Sequence, residues 1–256
     1  MLLRINGLET YFTLEGRGDP VVLLHGWGAS SQSLAGLAAA LADTFRVLAV
    51  DLPGFGWSQI PPAAWGSREY AGHVERLMQQ VGIDRGALVG HSFGGRIAMT
   101  LAAGRSTGIS RLVLVAGAGI RPRRRAGYHL RVATAKLARW FFCLPGWGAT
   151  GRRIISAMYA RVGSRDYRAA GSMRPTLVKI VNEDLTPLLP SIQVPTLIVW
   201  GDQDQEVPRS AMEILAARIP QARLVVFEGA GHFPFLDMSE KFCRTVNEFL
   251  RAGGVS

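Results

Sequence analysis

Six short runs dominated by apolar and β-branched residues recur along the chain: Val21–His25, Arg46–Val50, Ala87–Gly90, Arg111–Val115, Thr196–Trp200 and Arg223–Phe227. Strands that alternate apolar and polar residues bury one sheet face. Strands that are apolar throughout are buried on both, as in a parallel sheet clothed by helices. The stretches Ser31–Ala42, Ser67–Val81, Phe93–Ala103, Arg209–Arg218 and Ser239–Arg251 repeat apolar residues every three or four positions, the spacing of one helix face. Two earlier runs, Leu2–Ile5 and Tyr11–Leu14, alternate and predict an exposed antiparallel edge. The chain therefore reads as α/β, a mostly parallel eight-stranded sheet with helices on both faces.

Between the sixth strand, Arg111–Val115, and the seventh, Thr196–Trp200, the rhythm stops for about 75 residues, where such units usually need two to six. The break predicts an inserted helical segment over 119–190, with 1–118 and 191–256 forming the core. Within it Ala126–Phe142 and Arg152–Arg161 have helical patterning, and Pro145-Gly146-Trp147-Gly148 interrupts them. Pro175, Pro187, Pro190 and Pro195 punctuate the return.

With 256 residues, 48% hydrophobic and 19% charged, the composition is that of a globular chain and argues against disorder or a fibre. Arg4, Asn6 and Glu9 interrupt the start before an apolar segment of signal-peptide length can form. The longest apolar stretches, Leu34–Ala42 and Leu112–Ile120, have nine residues each, about half of the roughly 18 a membrane-spanning helix needs. A cytoplasmic protein with no transmembrane segment is expected. Cys143 and Cys243 fit no metal-ligand spacing and read as two reduced thiols, so no metal and no cofactor is expected.

The net charge of +10 is concentrated: Gly119–Pro190 holds 14 Lys and Arg against only Asp166, Glu183 and Asp184. Arg121, Arg123, Arg124 and Arg125 form a run, followed by Arg152, Arg153, Arg161, Arg165 and Arg168. The plain reading is a solvated face. The functional ones are an anionic substrate, an acidic carrier protein or an anionic membrane surface, since a localised patch steers negative partners. Nucleic acid is not expected, because no recognition motif accompanies the charge. Trp140-Phe141-Phe142-Cys143-Leu144 and Trp147 read as packing, or as an apolar entrance for an acyl chain.

In an open parallel sheet, functional groups gather at the carboxyl ends of the strands. Three candidates fall there. Ser92 lies in Gly90-His91-Ser92-Phe93-Gly94, a strand-to-helix turn whose glycines let the backbone double back and expose the hydroxyl. Asp202 and Asp204 follow the seventh strand, and His232 follows the eighth through Glu228-Gly229-Ala230-Gly231. A serine hydroxyl becomes a nucleophile when an imidazole takes its proton, and the imidazole needs a carboxylate to set its tautomer. Asp204 is favoured as that acid because it lies further along the loop, while Asp202, directly after Gly201, is placed to hold the turn. Asp51, in Asp51-Leu52-Pro53-Gly54-Phe55-Gly56, reads as a loop-shaping residue. Acyl transfer also needs donors for the developing oxyanion. The backbone N–H groups of Trp27, in His25-Gly26-Trp27-Gly28, and of Phe93 at a helix start are the candidates.

These motifs, with Trp57-Ser58, Gly95, Val207-Pro208 and Phe233-Pro234 extending them, occur in the order of the α/β-hydrolase family, which the chain resembles over essentially its full length. The resemblance implies Ser92 as nucleophile, Asp204 as acid, His232 as base, the amides of Trp27 and Phe93 as the oxyanion site, and 119–190 as a cap over it. A serine at the elbow disfavours members with an aspartate nucleophile. The chain most resembles small microbial carboxylesterases, including those acting on acyl esters carried by a protein partner. Carboxylic ester or thioester hydrolysis is the expected activity; carbon–carbon bond hydrolysis by the same triad and a non-catalytic ligand-binding receptor are the alternatives.

Overall fold

A computed structural model of the chain describes residues 1–104, 108–120 and 165–252. The chain divides into two compact units, 1–121 with 178–256, and 122–177.

The first unit holds one eight-stranded sheet, β1 (Leu2–Ile5), β2 (Leu8–Glu15), β3 (Pro20–Leu24), β4 (Arg46–Val50), β5 (Gly86–His91), β6 (Ile109–Val115), β7 (Thr196–Gly201) and β8 (Ala222–Phe227). Their spatial order is β1-β2-β4-β3-β5-β6-β7-β8. β1 and β2 pair antiparallel, and β2 runs antiparallel to β4. Every later pairing, β4 to β3, β3 to β5 and on to β8, is parallel. The alternating edge and the parallel strands thus lie where their patterns place them, except that β8, the strand at the far edge of the sheet, is buried only at Phe227 instead of on both faces.

β2 begins three residues before the expected Tyr11. The cause is a tight hairpin at Asn6-Gly7, both at positive φ (50° and 82°), which sets Ile5 opposite Leu8. Asn-Gly adopts that turn at little cost, and its twist matches the flanking strands. The expected helix Ser31–Ala42 is divided into a 3₁₀ turn, Ser31–Leu34, and α1, Ala35–Ala42. The Ser31 amide donates to Asp51 Oδ1 at 2.7 Å, tying the first turn to the loop after β4.

Among the described residues the remaining α-helices are α2 (Ser67–Gln80), α3 (Phe93–Ala102), α4 (Arg165–Ala169), α5 (Arg174–Asn182), α6 (Arg209–Arg218), α7 (Pro234–Asp237) and α8 (Ser239–Arg251). α8 shows why such helices dock on the sheet. Phe242, Val246 and Leu250, four apart, are buried in one cluster with Leu23, Val89, Val113 and Val199 of the sheet. The expected helices over 126–142 and 152–161, the break at 145–148, Cys143 and the basic run 121–125 lie outside the described residues.

Residues 178–190 belong with the sheet-containing unit, and side chains there account for it. Glu183 accepts from the Ser67 amide (3.1 Å) and hydroxyl (2.5 Å), capping the start of α2 from 116 residues away. Lys179 pairs with Glu69 at 2.8 Å, and Glu69 accepts from the Gly66 amide at 2.8 Å.

A close backbone joint in the sheet lies at α3. A Cβ at Gly94 would stand 2.1 Å from the Leu24 carbonyl oxygen, and one at Gly90 2.5 Å from the Gly94 carbonyl oxygen. Both neighbours are backbone and cannot turn aside. Gly94→Ala is therefore expected to destabilise the protein by at least about 3 kcal/mol, read as a fall in the urea midpoint. Gly36→Ala, in α1 with nothing within 4 Å, is the control and should stabilise by about 0.5–1 kcal/mol.

Candidate active site

Four loops leave the carboxyl ends of β3, β5, β7 and β8 and bring the sequence candidates to one sheet edge. β5 ends at His91, and Ser92 turns directly into α3 with φ 48° and ψ −105°. For a residue with a side chain this conformation costs about 1–3 kcal/mol, so the surroundings must impose it. They do so through three bonds: the Ser92 amide donates to Val115 O at 2.9 Å, and its carbonyl accepts from Arg96 and Ala118, each at 3.3 Å. The result is a half-buried serine at a sharp turn, directly before the start of α3.

The loop after β3 lies against this elbow. A Cβ at Gly26 would fall 3.6 Å from Ser92 Cβ. His25, fully buried, anchors the loop: its Nε2 accepts from the Leu52 amide at 3.0 Å, which leaves Nδ1 to carry the proton and donate to Gly26 O at 2.7 Å. Burial, only partly offset by the Gly26 bond and the Asp51 charge, lowers the His25 pKa to about 4, so the ring is neutral and structural. The Trp27 ring packs edge-on against Phe93 at 5.4 Å and Phe55 at 4.8 Å, setting the Trp27 loop beside the α3 start. As the first helical residue, Phe93 has an N–H without an intrahelical acceptor.

The two aspartates after β7 are sorted by their bonds. Asp202 Oδ1 accepts from the Gly229 amide at 2.7 Å and holds the turn after β8. Asp204 Oδ1 accepts from the amides of Glu206 (2.8 Å) and Val207 (3.0 Å), leaving Oδ2 to meet His232 Nδ1 at 2.9 Å. The Asp204 side chain is fully buried and that of His232 is 7% exposed. Burial works against ionisation of Asp204, yet the His232 ring and the two amides outweigh it and hold the carboxyl below its ordinary range. Asp51 has the loop-shaping bonds its sequence context suggests, accepting from Ser31 and from the Trp57 amide at 2.9 Å.

His232 is tied back to the elbow through the residue before Ser92. His91 Nε2 donates to the His232 carbonyl at 3.0 Å, and the two rings lie 4.9 Å apart. Burial, and next the nearby His232, lower the His91 pKa to about 3. A neutral His91 can donate this bond without adding a charge beside the site.

The sequence profile of the α/β-hydrolase family matches residues 21–245. The chain belongs to the α/β-hydrolase family. Curated relatives include pimeloyl-[acyl-carrier protein] methyl ester esterases of Vibrio cholerae, 31% identical over 94% of this chain and 98% of that one, and of Aeromonas hydrophila, 30% identical over 92% and 96%. Among solved structures, an esterase from Exiguobacterium antarcticum superposes with a TM-score of 0.75 at 26% identity, covering 98% of both chains. A meta-cleavage product hydrolase does so at 0.76 and 25%, covering 99% of this chain and 98% of that one.

One residue beside His232 has no counterpart among the sequence candidates. Glu206 Oε2 stands 3.3 Å from His232 Nε2, the ring nitrogen opposite the one that Asp204 holds. A second carboxylate two positions past Asp204 is the only trace it leaves in the sequence. Among the described residues no group of three or more His, Cys, Asp or Glu could hold a metal ion, and no helix is long and apolar enough to cross a membrane.

Proposed function

We propose that this α/β hydrolase cleaves carboxylic esters of acyl groups through an acyl-enzyme, with Ser92 as nucleophile, His232 as base, Asp204 as the acid that orients it, and the Trp27 and Phe93 amides as oxyanion donors. The observation that carries the reading is the Asp204–His232 contact on the same sheet edge as a strained, half-buried Ser92. Ser92 Oγ attacks the ester carbonyl as its proton passes to His232 Nε2. Asp204 stabilises the imidazolium through Nδ1, and the two amides receive the developing oxyanion. Collapse expels the alcohol with the proton from His232. Water, deprotonated by the same ring, then releases the acid and restores Ser92.

The segment 119–190 is read as the cap that the family resemblance implies, of which 122–177 form the separate unit. Its basic composition, and the relatives named for an acyl-carrier-protein ester, favour an acyl group presented by an acidic carrier. Turnover of a carrier-bound ester should then fall several-fold between about 50 mM and about 500 mM salt, while that of a small neutral ester stays level, because salt screens exposed charge. Equal salt curves would remove the carrier.

A panel of chromogenic esters of graded acyl length tests the activity itself, and hydrolysis of at least one is expected. Tight binding of a ligand with no turnover of any ester would favour the receptor reading instead. The likeness to a meta-cleavage product hydrolase supports one second reading, hydrolysis of a carbon–carbon bond by the same groups. Hydrolysis of a carbon–carbon bond in a meta-cleavage product but of no ester would select it.

A further inference from the structure

We propose that His91 is a positioning residue, a spacer whose ring sets the separation between the loop that carries the Trp27 amide and the main chain of His232. The proposal rests on the triad reading above. The need for a spacer comes from the topology. β8 lies three places from β5 in the sheet, about 14 Å at the usual spacing of strands. Yet His232, five residues beyond the end of β8, reaches the end of β5. His232 belongs to no strand, so a side chain of β5 has to supply the hold that a ladder would give.

His91, the last residue of β5 and fully buried, meets both loops. Its Nε2 donates to the His232 carbonyl at 3.0 Å. The edge formed by Nδ1 and Cε1 lies against Gly26, where a Cβ would stand 2.7 Å from Nδ1 and 3.1 Å from Cε1. Gly26 directly precedes Trp27, so the ring touches the main chain that aims the oxyanion amide. The spacer is itself held. Its backbone is in register with Val115 of β6, and the rings of Phe235 and Phe233 pack against it at 4.9 and 5.1 Å. Donation to a carbonyl places the ring proton on Nε2, and burial keeps the ring neutral, so His91 acts by its position and carries no proton in turnover. Asp204 orients the His232 ring through Nδ1, while His91 places the main chain from which that ring hangs.

Three variants separate the donor from the bulk of the ring. His91→Phe keeps a ring and loses the N–H. His91→Gln keeps an N–H donor of similar reach, and His91→Met has nearly the shape of glutamine without the donor. Misplacing a reacting group by on the order of 1 Å costs about 10²-fold. Labelling of Ser92 by a fluorophosphonate should therefore slow by about 10–100-fold in His91→Phe and His91→Met, and by less than about fivefold in His91→Gln. With any ester that the wild type cleaves, the same losses should fall on kcat and leave KM within about twofold, a split that lost packing alone would not produce. Urea midpoints identify a variant that does not fold, and if His91→Phe is one, the glutamine and methionine pair carries the test. Labelling of folded His91→Phe or His91→Met at the wild-type rate, or equal losses in His91→Gln and His91→Met, would overturn the proposal and leave His91 a packing residue. Wild-type protein that gives no Ser92 adduct at all would overturn the triad reading, and this proposal with it.

Discussion

Ser92→Ala protein should lose at least about 10⁴-fold in kcat/KM for a short neutral ester, because without a nucleophile only binding and the oxyanion donors remain. Its urea midpoint should stay close to that of the wild type. The backbone bonds that impose φ 48° run through the Ser92 amide and carbonyl, to Val115, Arg96 and Ala118, and alanine keeps all three. The hydroxyl is removed without disturbing the elbow. Chemistry lost with stability kept is the signature of a residue that acts on substrate. A parallel loss of stability would instead mark Ser92 as a structural turn residue.

Asp204→Asn should cost about 10⁴-fold in kcat, whereas Asp202→Asn should stay within about tenfold of the wild type. The contrast is sharp because the two residues share a loop and a side-chain shape. An asparagine at 202 keeps an oxygen to accept from the Gly229 amide. At 204 its oxygen would still accept from Glu206 and Val207, but its NH₂ would then face His232 Nδ1. Nδ1 becomes an acceptor, the ring proton moves to Nε2, and the nitrogen that should receive the Ser92 proton already carries one. Steady-state kinetics on one ester settles the matter, and equal losses in both variants would leave the acid unassigned.

The legible parts of this fold are those that local chemistry dictates. Apolar runs such as Val21–Leu24 and Leu197–Trp200 can only be strands buried on both faces. The glycines around Ser92 announce the elbow because the close approach of Gly94 to Leu24 admits no side chain. The early start of β2 is legible too, in Asn6-Gly7, although the alternation from Tyr11 is the stronger pattern. Other features have no local signature. Glu183 caps Ser67 across 116 residues, a pairing that exists once α2 and the chain at 183 have docked. Glu206 reaches His232 Nε2 because Asp204 Oδ1 gathers the amides of 206 and 207 into a turn, and a carboxylate in a polar loop gives no hint of that. The order Ser92, Asp204, His232 can be read from strand ends alone, while the choice between Asp202 and Asp204 rests on one step along a loop.

Ser92 as an activated nucleophile is the central claim, and treatment with a fluorophosphonate followed by peptide mass spectrometry tests it directly. One adduct per chain, on Ser92, is expected in the wild type, with the adduct absent from Ser92→Ala and much slowed in His232→Gln. An ester-cleaving protein that carries no adduct on Ser92, or carries it on another residue, would contradict the claim.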